Sequence, residues 1–300
     1  MNDPNGLVEV DGTFHLFYQH NPAAPEWGNI HWGHATSTDL AHWDHRPIAL
    51  YPDSVGEPFS GTVVVDRSNS AGFGDDALVA VFTQDLRGVQ RQSLAFSLDG
   101  GESWTPHGGN PVLEAPEGIH NFRDPKVLRF SRGDASWWVM VLAVDSEVWV
   151  YRSDDLHRWK RTSVLEVPSV SGRYIIEVPE LIQVPIEGTD SAAWMLIVSV
   201  IPPGGLRRLA GRVHWMVVDF DGVTITPSPV APRAEAFDGG RDFYAAMAWT
   251  RGRGESPISI GWMDEESLDQ GPGEIPWCGR QSLPRMLSFV ADGDHLRVRQ

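Results

Sequence analysis

Carboxylates recur along this chain in short settings whose residue types could do nucleophilic or acid–base work. They are Asn2-Asp3-Pro4-Asn5-Gly6, Phe122-Arg123-Asp124-Pro125, Ile176-Glu177-Val178-Pro179-Glu180 and Phe237-Asp238-Gly239-Gly240-Arg241-Asp242. Clustered carboxylates have two common uses: holding a hard cation such as calcium, and flanking a glycosidic bond as nucleophile and proton donor. A calcium site usually gathers several ligands in one short loop, whereas these are spread over the whole chain and can meet only through the fold. Taken singly, Asp3-Pro4 and Asp124-Pro125 read as turn devices. Their recurrence at regular spacing favours chemistry. Retention and inversion stay open at this point, because the distance between carboxyl groups separates them and spacing in sequence does not. His20, His31 and His34 match no standard zinc spacing and read as hydrogen-bonding residues. We find no glycine-rich phosphate loop before a helix and no Ser or Cys elbow motif. Neither a metal site nor a cofactor is expected.

The elements that must position these residues are strands. Apolar residues alternate with period two almost everywhere: Leu7 to Val10, Thr13 to Gln19, Ala77 to Thr83, Ser93 to Ser97, Ser136 to Val144, Glu147 to Ser153, Ala192 to Ile201, Val213 to Phe220 and Ser256 to Met263. Helical periodicity is lacking, so the chain is all-β. It also repeats. Ser37-Thr38-Asp39 precedes Trp43, Ser97-Leu98-Asp99 precedes Trp104, and Ser153-Asp154-Asp155 precedes Trp159, with a weaker echo at Asp219-Phe220-Asp221-Gly222. Each copy follows a strand and supplies a turn, as the outer hairpin of a propeller blade requires. A period of about 60 residues suits a four-stranded blade, and the chain length then gives about five blades. A β-sandwich is the alternative, but it needs no such even repeats. Innermost strands line a propeller's channel, so functional residues should recur once per blade: Asp3, Ser60, Asp124, Glu177 and Asp242. Blade two, with Phe59-Ser60-Gly61, offers no carboxylate. We read residues 1–300 as one propeller domain. Asp292 to Gln300 stops within a strand-like pattern and the chain begins abruptly at Met1-Asn2-Asp3, so both ends read as trimmed from a longer protein.

Composition narrows the partners. A net charge of −16 with no basic stripe argues against nucleic acid and against anionic membranes. Unbroken apolar runs such as Ala192 to Val198 are far short of a membrane span. The single cysteine, Cys278, excludes an internal disulfide and a cysteine-based metal cluster. It suits a cytoplasmic enzyme, or a secreted one large enough to need no staples, with secretion favoured. Thirteen tryptophans exceed what a core normally needs, and flat aromatic faces are what sugar rings stack on; most are nevertheless expected in the core.

The motifs resemble those of glycoside hydrolase family 32, the invertases, levanases and inulinases. Met1-Asn2-Asp3-Pro4-Asn5-Gly6 is similar to the family's opening signature and Phe122-Arg123-Asp124-Pro125 to its second. Ile176-Glu177-Val178-Pro179-Glu180-Leu181 resembles the third, which usually reads Glu-Cys-Pro. The likeness extends in order through Tyr18 to Pro22, Trp32 to Ala35, Phe59-Ser60-Gly61, Arg241 to Ala245, Gly261-Trp262-Met263 and Leu283-Pro284-Arg285. It implies a five-bladed propeller, with the family's C-terminal β-sandwich absent from this chain, and cleavage of fructosyl bonds with retention. It further implies Asp3 as nucleophile, Glu177 rather than Glu180 as acid/base, and Asp124 as a stabiliser that holds sugar hydroxyls. Asn2, Gln19, Trp27, Phe59, Ser60, Arg123 and Asp242 fall where the family grips the fructosyl unit. The implied partner is a fructose-containing oligo- or polysaccharide. Two departures stand out: Val178 replaces the usual cysteine, and Asp264-Glu265-Glu266 follows Met263 where levanase- and inulinase-like members often have Asn, Trp and Gln. Phe82-Thr83-Gln84-Asp85 adds to the levanase-like impression. A fructosyltransferase, a non-catalytic fructan-binding propeller and a pentosan-cleaving propeller are the competing readings.

Overall fold

The computed structural model describes residues 1–168, 170, 174–202, 212–230, 233–252, 254–263 and 278–300. Asp264-Glu265-Glu266 therefore lies outside the described residues. Among those residues every regular element is a strand, and no helix is long and apolar enough to cross a membrane.

Five antiparallel sheets follow one another along the chain. Blade one is β1 (Pro4–Val10), β2 (Thr13–His20), β3 (His31–Ser37) and β4 (Asp44–Leu50). Blade two is β5 (Glu57–Asp66), β6 (Ala77–Leu86) and β7 (Val89–Ser97), edged by β8 (Thr105–Pro106) and β9 (Leu113–Glu114). Blade three is β10 (Phe122–Arg132), β11 (Ala135–Val144), β12 (Glu147–Ser153) and β13 (Lys160–Glu166). Blade four is β14 (Ile175–Pro185), β15 (Ala192–Ile201) and β16 (Val213–Phe220), edged by β17 (Ile225–Pro227) and β18 (Glu235–Ala236). Blade five is β19 (Phe243–Trp249) and β20 (Ile258–Met263), edged by β21 (Arg280–Gln281) and β22 (Arg285–Met286). A hairpin of β23 (Ser288–Asp292) and β24 (His295–Arg299) packs against β14.

The first strand of each blade touches the first strands of both neighbours, so β1, β5, β10, β14 and β19 close a ring. The expected five-bladed propeller is thus the observed fold. The outer turns are built as the repeat suggested. Ser37 Oγ accepts the Asp39 and Leu40 N–H groups, and Asp39 Oδ1 accepts those of Ala41 and His42. Ser97 with Asp99, and Ser153 with Asp155, do the same. Short polar side chains satisfy backbone donors that the turn removes from the ladder.

Packing explains one difference from the alternating pattern. Both faces of a blade are covered by its neighbours, and Trp137–Val144 of β11 is buried at every position. The core is consequently divided into wedges between blades; Phe17, Trp32, Val63 and Phe82 fill the one between blades one and two. Alternation in the sequence distinguishes apolar from buried polar faces here, not core from solvent.

Candidate active site

Each innermost strand is interrupted near its start by a β-bulge: between Asn5 and Val8, Pro58 and Gly61, Arg123 and Lys126, Glu177 and Glu180, and Tyr244 and Met247. A bulge kinks a strand and re-aims its side chains. In four of the blades the first bulged residue is left-handed: Gly6 (φ 55°), Asp124 (φ 63°), Val178 (φ 47°) and Ala245 (φ 49°). For a non-glycine residue that conformation costs about 1–2 kcal/mol. The neighbouring blade offsets part of it. The freed N–H of Asp124 donates to Thr83 Oγ1 (2.9 Å), that of Val178 to Asp124 Oδ2 (3.0 Å), and that of Ala245 to Ser199 Oγ (3.1 Å).

This register puts Arg123, Glu177 and Tyr244 at equivalent positions of three consecutive blades, each just before its bulge, and their side chains meet. Arg123 Nε and Nη2 both reach Glu177 Oε1 at 3.1 Å, and the Tyr244 hydroxyl donates to Glu177 Oε2 at 2.6 Å. Burial, then the charge of Glu177, pushes the Tyr244 pKa well above its ordinary value, which keeps the phenol a donor. Asp124 sits one position further along, on the bulge itself. Aligning the motifs by their carboxylates set it level with Glu177; the hydrogen-bond ladder shifts it by one residue.

Asp3 precedes β1. Its Oδ2 accepts from Ser60 Oγ at 2.8 Å, and that hydroxyl in turn accepts from Gln19 Nε2 at 2.6 Å. Blade two therefore supplies, in place of a carboxylate, the buried hydroxyl that orients one. A cavity of about 650 Å³ opens above these groups, lined by Asn2, Asp3, Gln19, Trp27, Phe59, Arg123, Asp124 and Glu177. Trp27 is 69% exposed and meets Phe59 edge to face, with ring centroids 6.1 Å apart, as a flat apolar rim. Ser60 lies fully buried behind Asp3, and Asp242 stands partly buried just before β19, outside the residues lining the cavity.

Two acids hold protons unusually tightly. Burial raises Asp3 to about 8, with repulsion from Asp124 and Glu177 adding to it. Burial, then the charge of Glu177, raises Asp124 to about 7. Arg123 opposes both shifts. Three carboxyl groups around one guanidinium thus carry less than their full charge at neutral pH, the condition for one to act as a base while another donates a proton. Glu180 is placed differently: it is fully buried and pairs with Lys126 Nζ at 2.5 Å. Lys126 lines a separate cavity at the opposite end of the channel.

The sequence reading missed Tyr244 and Trp262, both in the cavity wall. The only signal for Tyr244 was its place two residues after Asp242; its contact with Glu177 crosses from blade five to blade four. Of the tryptophans among the described residues, Trp27 and Trp262 line this cavity.

Fold and cavity together define a five-bladed propeller that gathers carboxyl groups where its innermost strands begin. The chain belongs to the glycosyl hydrolases of family 32, whose N-terminal domain matches residues 1–299. It is 39% identical to a levanase of Bacillus subtilis over 306 residues, covering 100% of this chain and 44% of that protein. It is 36% identical to an extracellular exo-inulinase of Aspergillus niger, covering 96% and 60%. The crystal structure of an exo-inulinase from Aspergillus awamori superposes with a TM-score of 0.88 at 33% identity, over 99% of this chain and 64% of that one. A fructofuranosidase from Schwanniomyces occidentalis complexed with fructose gives a TM-score of 0.86. The chain thus spans about half the length of the curated relatives it matches.

Proposed function

We propose that residues 1–300 form the catalytic propeller of a retaining β-fructofuranosidase acting on terminal fructosyl bonds of levan, inulin or sucrose. The observation that carries this reading is the convergence of Asp3, Asp124 and Glu177 on one cavity in a chain similar to a levanase and to exo-inulinases.

In this mechanism the proton that burial places on Asp3 passes to Glu177 in the reactive form, and the ionised Asp3 oxygen attacks the anomeric carbon of the fructosyl unit. The bond to the leaving oxygen breaks as Glu177 delivers its proton to that oxygen, and a covalent fructosyl-enzyme forms. Glu177, now ionised, takes a proton from water; the resulting hydroxide displaces Asp3, fructose departs and Glu177 is again protonated. Arg123 and Tyr244 hold Glu177 in place for both steps. The Ser60 hydroxyl fixes one oxygen of Asp3. Asp124 accepts sugar hydroxyls and balances the positive charge that develops at the anomeric carbon. Asn2 and Gln19 act as polar partners of the fructosyl unit, and Trp27 with Phe59 forms the apolar wall.

The test is fructose release from sucrose, inulin and levan by the full-length gene product, beside Asp3→Ala and Glu177→Gln. We expect release from at least one substrate and a loss on the order of 10³-fold or more in each variant. Larger saccharides formed in concentrated sucrose would make it a fructosyltransferase. Binding without turnover would make it a fructan-binding propeller. A wild type inert on all three substrates removes the proposal.

A further inference from the structure

Blade two offers the site no carboxylate, yet its side chains hold the segment of blade three that bears Arg123 and Asp124. Thr83 Oγ1, wholly buried on β6, accepts the Asp124 N–H at 2.9 Å and donates to Gln92 Oε1 at 2.9 Å. Gln92, wholly buried on β7, donates from Nε2 to the Phe122 carbonyl at 2.8 Å. Gln90 Oε1 accepts both the Phe122 N–H at 2.8 Å and Arg123 Nη1 at 3.2 Å. Past the bulge, Thr62 Oγ1 donates to the Pro125 carbonyl at 2.7 Å and accepts the Val127 N–H at 3.3 Å.

These contacts are more than fold maintenance. Asp124 is left-handed and its N–H has left the ladder, so the direction of its carboxyl follows from what captures that N–H. Arg123 has two anchors on Nη1, Gln90 and Asn121, before it reaches Glu177. Neither Thr83 nor Gln90 lines the cavity.

We propose that Thr83 and Gln90 are positioning residues for glycosidic cleavage: Thr83 sets the aim of Asp124 through its backbone, and Gln90 sets the guanidinium of Arg123 against Glu177. The inference rests on the catalytic reading above. It assigns a role to Phe82-Thr83-Gln84-Asp85, a motif the mechanism otherwise leaves unused.

The experiment uses the full-length protein with its best fructan or sucrose. Thr83→Val keeps the shape and removes the hydroxyl; we expect kcat to fall about 10²-fold with KM within about threefold, the size of effect that small misplacements of reacting groups produce. Thr83→Ser should return kcat to within about fivefold of wild type, which a packing role for the lost methyl would not allow. Gln90→Met releases one anchor of Arg123, whose charge holds Asp3 and Asp124 down in a cluster that also contains Glu177 and Tyr244. The acid limb of kcat/KM should move up by about half a pH unit or more. A Thr83→Val enzyme with near-wild-type kcat, or one whose loss Ser does not restore, overturns the inference. If Thr83→Val does not fold, an unmoved pH profile in Gln90→Met overturns it. Asp124→Asn separates the two levels: wild type active, Asp124→Asn inactive and Thr83→Val unchanged refutes only the positioning role, whereas an active Asp124→Asn refutes the reading of the site.

Discussion

Asp3 and Asp124 make the cavity costly to fold at alkaline pH. In the unfolded chain each titrates near 4, whereas burial and repulsion from neighbouring carboxylates, Asp124 and Glu177 on Asp3 and Glu177 on Asp124, raise them to about 8 and about 7 in the folded protein. The folded state therefore binds protons more tightly between those values. Linkage gives the sign: stability is fully present below about pH 4 as far as these groups are concerned, and is lost as pH rises through 7 to 8. Asp124→Asn should consequently raise the unfolding free energy at pH 8 by a few kcal/mol, with the gain vanishing near pH 4. Urea titrations at the two pH values check this, and an equal effect at both would mean that Asp124 is not held protonated by its surroundings. Val178, the left-handed residue after Glu177, serves the site through its backbone. Its N–H binds Asp124 while its side chain is buried in the core shared by blades one, four and five.

At the scale of the element, the recurring device is a strand with a bulge near its start. In β1 that device needs glycine. Gly6 combines φ 55° with a Cβ position only 2.7 Å from Val63 Cγ2 and 2.8 Å from Phe17 Cδ2. The last letter of Asn2-Asp3-Pro4-Asn5-Gly6 is therefore a packing and conformational requirement, two residues past the proline that follows Asp3. Gly6→Ala should cost about 2–5 kcal/mol, the sum of left-handed strain and overpacking, and should lower activity because Asp3 leads directly into β1. Thermal unfolding and fructose release measure both; an unchanged melting temperature would show that β1 can shift without loss.

Seen as a whole molecule, the propeller is closed with no strand shared between blade one, residues 4–50, and blade five, residues 243–286, among the described residues, and side chains carry much of the seam between them. Trp249, fully buried, packs edge to face on Phe14 and near-parallel to Trp43, and its Nε1 donates to the His15 carbonyl at 2.9 Å. Arg251 reaches Glu9 at 3.1 Å, and Gln281 Nε2 donates to the Asn2 carbonyl at 2.7 Å, next to Asp3. Trp249→Ala should cost about 3–5 kcal/mol, as large-to-small core changes do. Urea unfolding followed by far-UV circular dichroism reads it out, and a cost under about 1 kcal/mol would mean the seam contributes little to holding the ring.

Local chemistry made much of this protein legible before any coordinates. Strand alternation, Asp-Gly turns and the Ser-x-Asp repeat are short-range signals, each set by a few neighbouring residues, so the all-β class, the blade count and the outer turns followed from sequence. The acidic motifs stood out because Asp and Glu beside Pro, Gly and Arg are unusual within strands. Tertiary structure decided what depends on contacts between blades. Tyr244 touches Glu177 across a gap of 67 residues and Thr83 holds Asp124 across 41, distances over which no periodicity carries information. The bulge register likewise belongs to the hydrogen-bond ladder: one extra residue in a strand shifts which side chains face the axis, and only the partner strand fixes where that residue is accommodated. So Lys126–Glu180 became a buried ion pair rather than a second candidate acid, and Arg123, Glu177 and Tyr244 became one cluster.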